Sequence, residues 1–378
     1  MKKNKSDMSM SFRLAVIIGC LFILIQKESY SQYEFKNEKR IACTDVKSQD
    51  ITGTCWSFST TSFLESELIR KGKGEYDLSE MYTVRSIYSD KARNYMLRQG
   101  KAGFSQGALA HDLLRAFEQD GAVPEEVYSG LLDIDSTHNH SEMEAGLKGY
   151  LDGVRAGKKI SSRWPIAFES ILDAYLGEAP SDFTYKGKKF TPKSFAESLE
   201  IKVDDYVSIT SFTHHPYYES FILEIPDNYS NGSYFNVSLA EMVSIVDYAI
   251  ANGYSIAWDG DVSEKTFQMR KGLAILPSDI NRDSLLSIPG EEIEVNSENR
   301  QRNFESLQTT DDHLMHLIGT AVDERGTKYY IIKNSWGDKS HFEGYLYMSE
   351  AYLKMKTVSI MLHKDGLSKE IYKKLVSE

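Results

Sequence analysis

The sequence predicts an α+β protein of two lobes, a helical one followed by a β-rich one, with a helical insertion between them. Three observations carry this. Apolar residues recur at helical spacing through three stretches after Cys55. Residues 130–205 keep a helical look but become strongly charged. From 313 onward, apolar residues fall into four strand-like runs. There is no internal repeat or low-complexity tract.

Residues 32–54 read as polar and irregular. The first helix opens at Cys55, carries Trp56, Phe58, Phe63, Leu64 and Leu68, and stops at Arg70-Lys71-Gly72. A second begins near Leu78-Ser79-Glu80. A third, Leu109 to Gln119, ends at Gly121-Ala122-Val123-Pro124. Two more helical stretches, "HSEMEAGLKGYLDGV" and "AFESILDAYLG", fall in the charged middle, which turns β-like at "DDYVSITSF". "IPDNYSNGSYFNVS" has the chemistry of a loop. A helix over 239–251 leads to the strand "YSIAWDGD", and 286–311 reads as polar and acidic. The strands "HLIGTAVDE" and "KYYIIKNSW" meet at Glu324-Arg325-Gly326, followed by "GYLYMSE" and "TVSIMLHK".

At 378 residues, 41% hydrophobic, the chain can build a large core. Mean hydropathy of −0.41 excludes a multi-span membrane protein. The net charge of −11 and the lack of a long Lys/Arg run argue against nucleic acid. At the N-terminus, Lys2, Lys3, Lys5 and Arg13 precede twelve apolar residues, Leu14 to Ile25, and then Ser29-Tyr30-Ser31. That order reads as a signal peptide over 1–31, with export to the periplasm or the extracellular space and no lasting membrane insertion. Cleavage makes the mature chain three charges more acidic.

Without Cys20, only Cys43 and Cys55 remain. Two thiols build no disulfide framework, although one Cys43–Cys55 bridge is arithmetically open. With no nearby histidine pair they make a poor zinc site, and nothing calls for a cofactor. A nucleophile is the other reading of Cys55. A free thiol is mostly protonated at neutral pH, and a helix N-terminus or an imidazolium lowers its pKa. Cys55 opens a helix, so the first device is at hand. Of nine histidines, His313 and His316 lie at the start of an apolar strand. Three residues apart, they face opposite sides, so one can meet the cysteine. Asn334, in "NSWG", can accept from an imidazole N–H, with Trp336 shielding that bond. Gln49, six residues before Cys55, can supply an oxyanion donor beside the Cys55 N–H.

"QDITGTCWSF", "DHLM" and "KNSWG" resemble the active-site segments of papain-like cysteine peptidases. "LSEMY", "GAVPEEVY", "YFNVSLAEM" and "IAWDGDV" resemble the bleomycin hydrolase and aminopeptidase C branch, so the likeness runs from about residue 40 to 365. The resemblance implies a papain-like fold, a helical lobe plus an antiparallel β-barrel-like lobe over 32–378, interrupted by an insertion at about 130–230. It implies Cys55 as nucleophile, His313 rather than His316 as general base and acid, Asn334 as its orienter, and Gln49 as oxyanion donor. Gly107 in "SQGAL" and Trp336 become candidate substrate-binding positions, with Ala108 standing where the family has a second glycine. Peptides are the implied substrates and a homo-hexamer the implied assembly.

Two features depart from the branch: the export signal, and a C-terminus "HKDGLSKEIYKKLVSE" that looks short of the arm that caps the family's cleft. The expectation is an exported aminopeptidase. The alternatives are an endopeptidase with an open cleft, an inactive peptide-binding relative, and an acyl-transfer enzyme acting on a non-peptide amide.

Overall fold

The structure, a computed structural model, describes residues 33–132 and 136–376, so the predicted leader at 1–31 lies outside the described residues. Its organising element is α1 (Cys55–Arg70), in which every residue from Cys55 to Leu68 is buried. Ser57, Thr60, Thr61, Ser62, Glu65 and Glu67 are buried along with the apolar side chains. Both lobes pack on it and give Ser57, Ser62, Glu65 and Glu67 hydrogen-bond partners, while the hydroxyls of Ser59, Thr60 and Ser66 are buried without one.

The helical lobe adds α2 (Glu80–Leu97), α3 (Ala110–Asp120), α4 (Ser141–Arg155), α5 (Trp164–Leu176) and α6 (Pro192–Leu199). The Ser79 hydroxyl caps α2 by accepting the Tyr82 N–H at 3.0 Å. Gly121 ends α3 at φ +92°, where a Cβ would lie 2.3 Å from the Pro192 backbone, so only glycine fits. Met143, Leu147 and Leu151 of α4 and Phe168 and Leu172 of α5 join the core that holds Trp56 and Phe63.

The second lobe is a mostly antiparallel sheet. Its strands are β1 (Lys36–Arg40), β4 (Tyr206–Thr210), β5 (Ser220–Ile222), β6 (Ser233–Asn236), β7 (Ile256–Gly260), β8 (Phe267–Gln268), β9 (Leu273–Ala274), β10 (His313–Val322), β11 (Lys328–Lys333), β12 (Tyr345–Ser349) and β13 (Thr357–His363). The order is β5-β6-β4-β13-β7-β10-β11-β12-β9-β8, with β1 on β10. A separate hairpin, β2 (Phe183–Tyr185) and β3 (Lys188–Phe190), extends the helical lobe. The outer face packs on α7 (Leu239–Ala251); α8 (Ser297–Glu305) turns Phe304 to the helical-lobe core and packs against α9 (Glu350–Lys356), which with α10 (Lys369–Val376) also covers the outer face. Among the described residues no helix is long and apolar enough to cross a membrane.

The first four helices and the last four strands stand where the sequence places them. Four differences have local causes. Residues 32–54 contain β1, whose five side chains are all exposed, so no buried face marks it. "IPDNYSNGSYFNVS" contains β6, and the acidic 286–311 stretch contains α8, capped by Asn296 accepting from the Asn299 N–H at 2.9 Å. The turn after β12 is α9, started by the Ser349 hydroxyl accepting from Tyr352 N–H at 3.1 Å.

Candidate active site

Cys55 is the first residue of α1, and its Sγ is hydrogen-bonded by the Leu314 backbone, one residue beyond His313 in β10. The side chain of Thr54 turns to Thr52, 2.6 Å away, and leaves the helix end without a side-chain cap. Cys55 thus opens the helix, as the sequence predicts. The expected lowering of its pKa is nonetheless reversed. Cys55 is only 8% exposed, and burial pushes the thiol up to about 12, helped by the charges of Asp311, Asp227 and Asp259 and opposed by the Leu314 hydrogen bond.

His313 and Asn334 are brought together by strand register. His316 pairs with Lys333 across β10 and β11, so the residues just past Lys333 lie beside the start of β10. His313 Nε2 lies 2.7 Å from Asn334 Oδ1. The same Oδ1 accepts the Ser335 N–H at 2.7 Å, and Asn334 Nδ2 donates to Met269 Sδ at 3.3 Å. Oδ1 is thus fixed as the acceptor, Nε2 carries the proton, and neutral His313 keeps Nδ1 bare. Burial pushes His313 down to about 4, against the pull of the Asn334 bond. The Trp336 ring lies over it at 4.8 Å, itself 46% exposed and braced by Phe267 at 6.0 Å.

His316 points elsewhere. Its Nδ1 lies 2.8 Å from Ser62 Oγ, which also accepts from Lys333 Nζ at 2.8 Å. Burial and the Lys333 charge both hold it neutral. Gln49 is clamped by Ser335: its N–H donates to the Ser335 carbonyl at 2.8 Å, and its Oε1 accepts from Ser335 Oγ at 2.6 Å. Nε2 gives one hydrogen to Thr52 O at 2.6 Å and has a second to spare. Ser335, Met269 and Gln106 were not singled out by sequence. Gln106 ties the loop before Cys55, accepting from Gly53 N–H at 2.7 Å and, through its carbonyl, from Trp56 Nε1 at 2.9 Å. Only their adjacency to Asn334 and Gly107 could have flagged Ser335 and Gln106.

Gly107 lies beneath Asp227: a Cβ there would meet the Asp227 carboxylate at 1.8 Å, and Lys91 Nζ donates to its carbonyl. Cys43 and Cys55 are both free thiols, so the arithmetically open bridge is not formed; Cys43 lies 3.7 Å from the Tyr345 hydroxyl. Among the described residues one group of three side chains has metal-like spacing: His214, His215 and Glu224. Gln301 Oε1 accepts from the Thr213 N–H at 2.6 Å, so its Nε2 donates to His214 Nδ1 at 2.9 Å. His214 Nε2 then holds the proton that Glu224 accepts, and a metal would need that nitrogen bare.

The family model of the peptidase C1-like family matches residues 177–378, and that of the papain family cysteine proteases matches 31–129. Aminopeptidase G of Lactobacillus delbrueckii subsp. lactis is 22% identical over 92% of this chain and 88% of its own length. Aminopeptidase C of Streptococcus thermophilus is 24% identical, covering 93% and 87%. The crystal structure of PepW from Lactobacillus rhamnosis superposes with a TM-score of 0.70 at 18% identity, over all of this chain and 96% of that one. Fold and family define a papain-like cysteine peptidase. The chain belongs to the peptidase C1-like family.

Proposed function

We propose that this protein hydrolyses peptides as an exported aminopeptidase, with Cys55 as nucleophile, His313 as general base and acid, Asn334 as the residue that orients it, and Gln49 as oxyanion donor. The observation that carries the reading is the hydrogen bond from His313 Nε2 to Asn334 Oδ1, whose polarity Ser335 fixes. It leaves Nδ1 as the base, on the residue next to the thiol's backbone partner.

Burial opposes a lone thiolate and a lone imidazolium alike. Moving the thiol proton to Nδ1 creates both charges at once, so each offsets the other's desolvation. Sγ then attacks the peptide carbonyl, and a carbon–sulfur bond forms. The oxyanion takes the Cys55 N–H and the spare Gln49 N–H. His313 gives its proton to the leaving amine as the carbon–nitrogen bond breaks. It next takes a proton from water, whose oxygen displaces the thiol and frees the carboxylic acid.

Aminopeptidase action is supported by the names of the relatives that span most of the chain. Export rests on the leader-like 1–31, and a homo-oligomer belongs to the same proposal through the family resemblance. The test is hydrolysis of a free-amine fluorogenic peptide and its acetylated twin by residues 32–378 and by Cys55→Ala. Cleavage of the free-amine peptide alone, silent in Cys55→Ala, is the expected result. Equal cleavage of both makes the protein an endopeptidase, and peptide binding without turnover makes it an inactive relative. Cell fractionation with N-terminal sequencing tests export.

A further inference from the structure

Three aspartates beside the thiol have no part in this chemistry. Asp259 of β7 pairs with Leu314 of β10, and side chains opposite one another in an antiparallel pair share a face. Leu314 packs into the helical-lobe core, so Asp259 also faces that lobe. Asp311 stands two residues before His313 and hydrogen-bonds Asp259. Asp227 reaches in over Gly107. All three lie close enough to Cys55 for their charge to oppose its ionisation.

They are not equally provided for. Asp227 has the Lys91 charge beside it and accepts from Ser105 Oγ at 3.5 Å. Asp259 is 2% exposed; one oxygen accepts from Ser359 Oγ at 3.0 Å, while Oδ1 is buried with no donor outside the aspartate pair. Asp311 Oδ2 is also buried without a donor outside the pair, although the residue as a whole is half-buried and is the more exposed of the two. Two facing carboxyl groups cannot both hold a charge out of water, so the empty pair keeps a shared proton. The cation that acts on the pair, Lys91, is taken up by the Gly107 carbonyl and Asp227, and donates to neither carboxyl group.

A metal does not fit, because Asp227, Asp259 and Asp311 do not bring three oxygens within 4.8 Å of one another. An ammonium group fits better. It brings a positive charge and three donors on one atom, enough for both orphan oxygens once the shared proton leaves to solvent. We propose that Asp259 and Asp311 form an ammonium-recognition subsite beside Cys55, which takes the amine of a peptide substrate. The proposal rests on the peptidase reading and names what that site selects. The amine comes either from the peptide's own N-terminus or from the side chain of a lysine that stands second before the cleaved bond.

The test uses leucyl-aminomethylcoumarin against its N-acetyl form, and acetyl-Lys-Leu- against acetyl-norleucyl-Leu-aminomethylcoumarin. Wild type, Asp311→Asn and Asp259→Asn/Asp311→Asn are compared by the ratio of kcat/KM within each pair, so that partial misfolding cancels. The expected result is a preference for the amine-bearing member of at least one pair that falls by roughly a hundredfold in the double variant. The pair that shows it identifies the source of the amine. The same preference, read as fluorescence-anisotropy binding of C-terminally labelled Leu-Leu and acetyl-Leu-Leu, and of labelled acetyl-Lys-Leu and acetyl-norleucyl-Leu, is measured on Cys55→Ala with and without the two Asn substitutions. No preference in wild type, or one that survives both substitutions, overturns the proposal. Cys55-dependent turnover without amine preference sinks the subsite and leaves the peptidase. Amine-selective binding without turnover sinks the peptidase and leaves the subsite.

Discussion

Helix α1 serves two polar neighbourhoods, and they are built on different terms. Behind its middle, Lys47, Glu65, Glu80, Lys333, Ser62 and His316 surround a cavity of about 20 Å³, room for one water. There charges of both signs meet. Lys47 pairs with Glu80 at 2.9 Å, Glu65 accepts from Leu78 N–H at 2.8 Å, and Lys333 donates to Thr44 O at 2.7 Å. At the N-terminal end of the same helix, Cys55, His313 and Asp259 are buried and Asp311 half-buried without a cation among the four, and one oxygen of each carboxyl group finds no donor outside the pair. Polar burial with opposite charges present holds α1 between the lobes, even though Ser59 Oγ and His316 Nε2 there have no partner. Incomplete polar burial at its tip leaves a demand that only a visiting molecule can meet, which is what a binding site requires.

The sharpest way to break the comparison is to remove one member from each side. Cys55→Ala or His313→Ala should cut kcat by about 10⁴-fold or more while leaving the melting temperature near wild type, as paired kinetics and calorimetry will show. Lys47→Met should do the opposite, destabilising by about 3–5 kcal/mol in chemical denaturation because it strands Glu65 and Glu80, with turnover of the folded fraction retained. A smaller effect is expected from Asn334→Ala, which frees the His313 ring. Its kcat should fall about a hundredfold with KM little changed.

The smallest effect is on stability against pH. Burial holds Asp259 and Glu65 at about 7, above the ordinary carboxyl range. Between pH 4 and 7 the folded state therefore binds more protons than the unfolded state, so stability falls as pH rises through that window. Asp259→Asn removes one share of the loss, and its melting temperature should gain on wild type at pH 8 but not at pH 5. Equal shifts at both values would count against an aspartate buried in this way.

Much of the site could be read from sequence because its parts sit on local landmarks. Cys55 opens a helix with a clear stop at Arg70, and the spacing from His313 to Asn334 is that of one antiparallel turn-back through β10 and β11. The choice between His313 and His316 needed the family resemblance, since alternation alone allowed either. The thiol's raised pKa was not legible, because burial depends on how two lobes close over α1. Nor was the aspartate pair: Asp259 and Asp311 lie on β7 and before β10, and only strand register makes them neighbours. Helix α8 escaped because Phe304 is its single large apolar side chain, too little for a periodic signal.

The most direct test of the central claim is the rate at which iodoacetamide alkylates Cys55 at pH 6, located by peptide mass spectrometry, in wild type, His313→Ala and His316→Gln. Cys55 should react in wild type and His316→Gln, and about a hundredfold more slowly in His313→Ala, since only His313 can take its proton. Equal rates in all three proteins, or labelling at Cys43 alone, would contradict the claim.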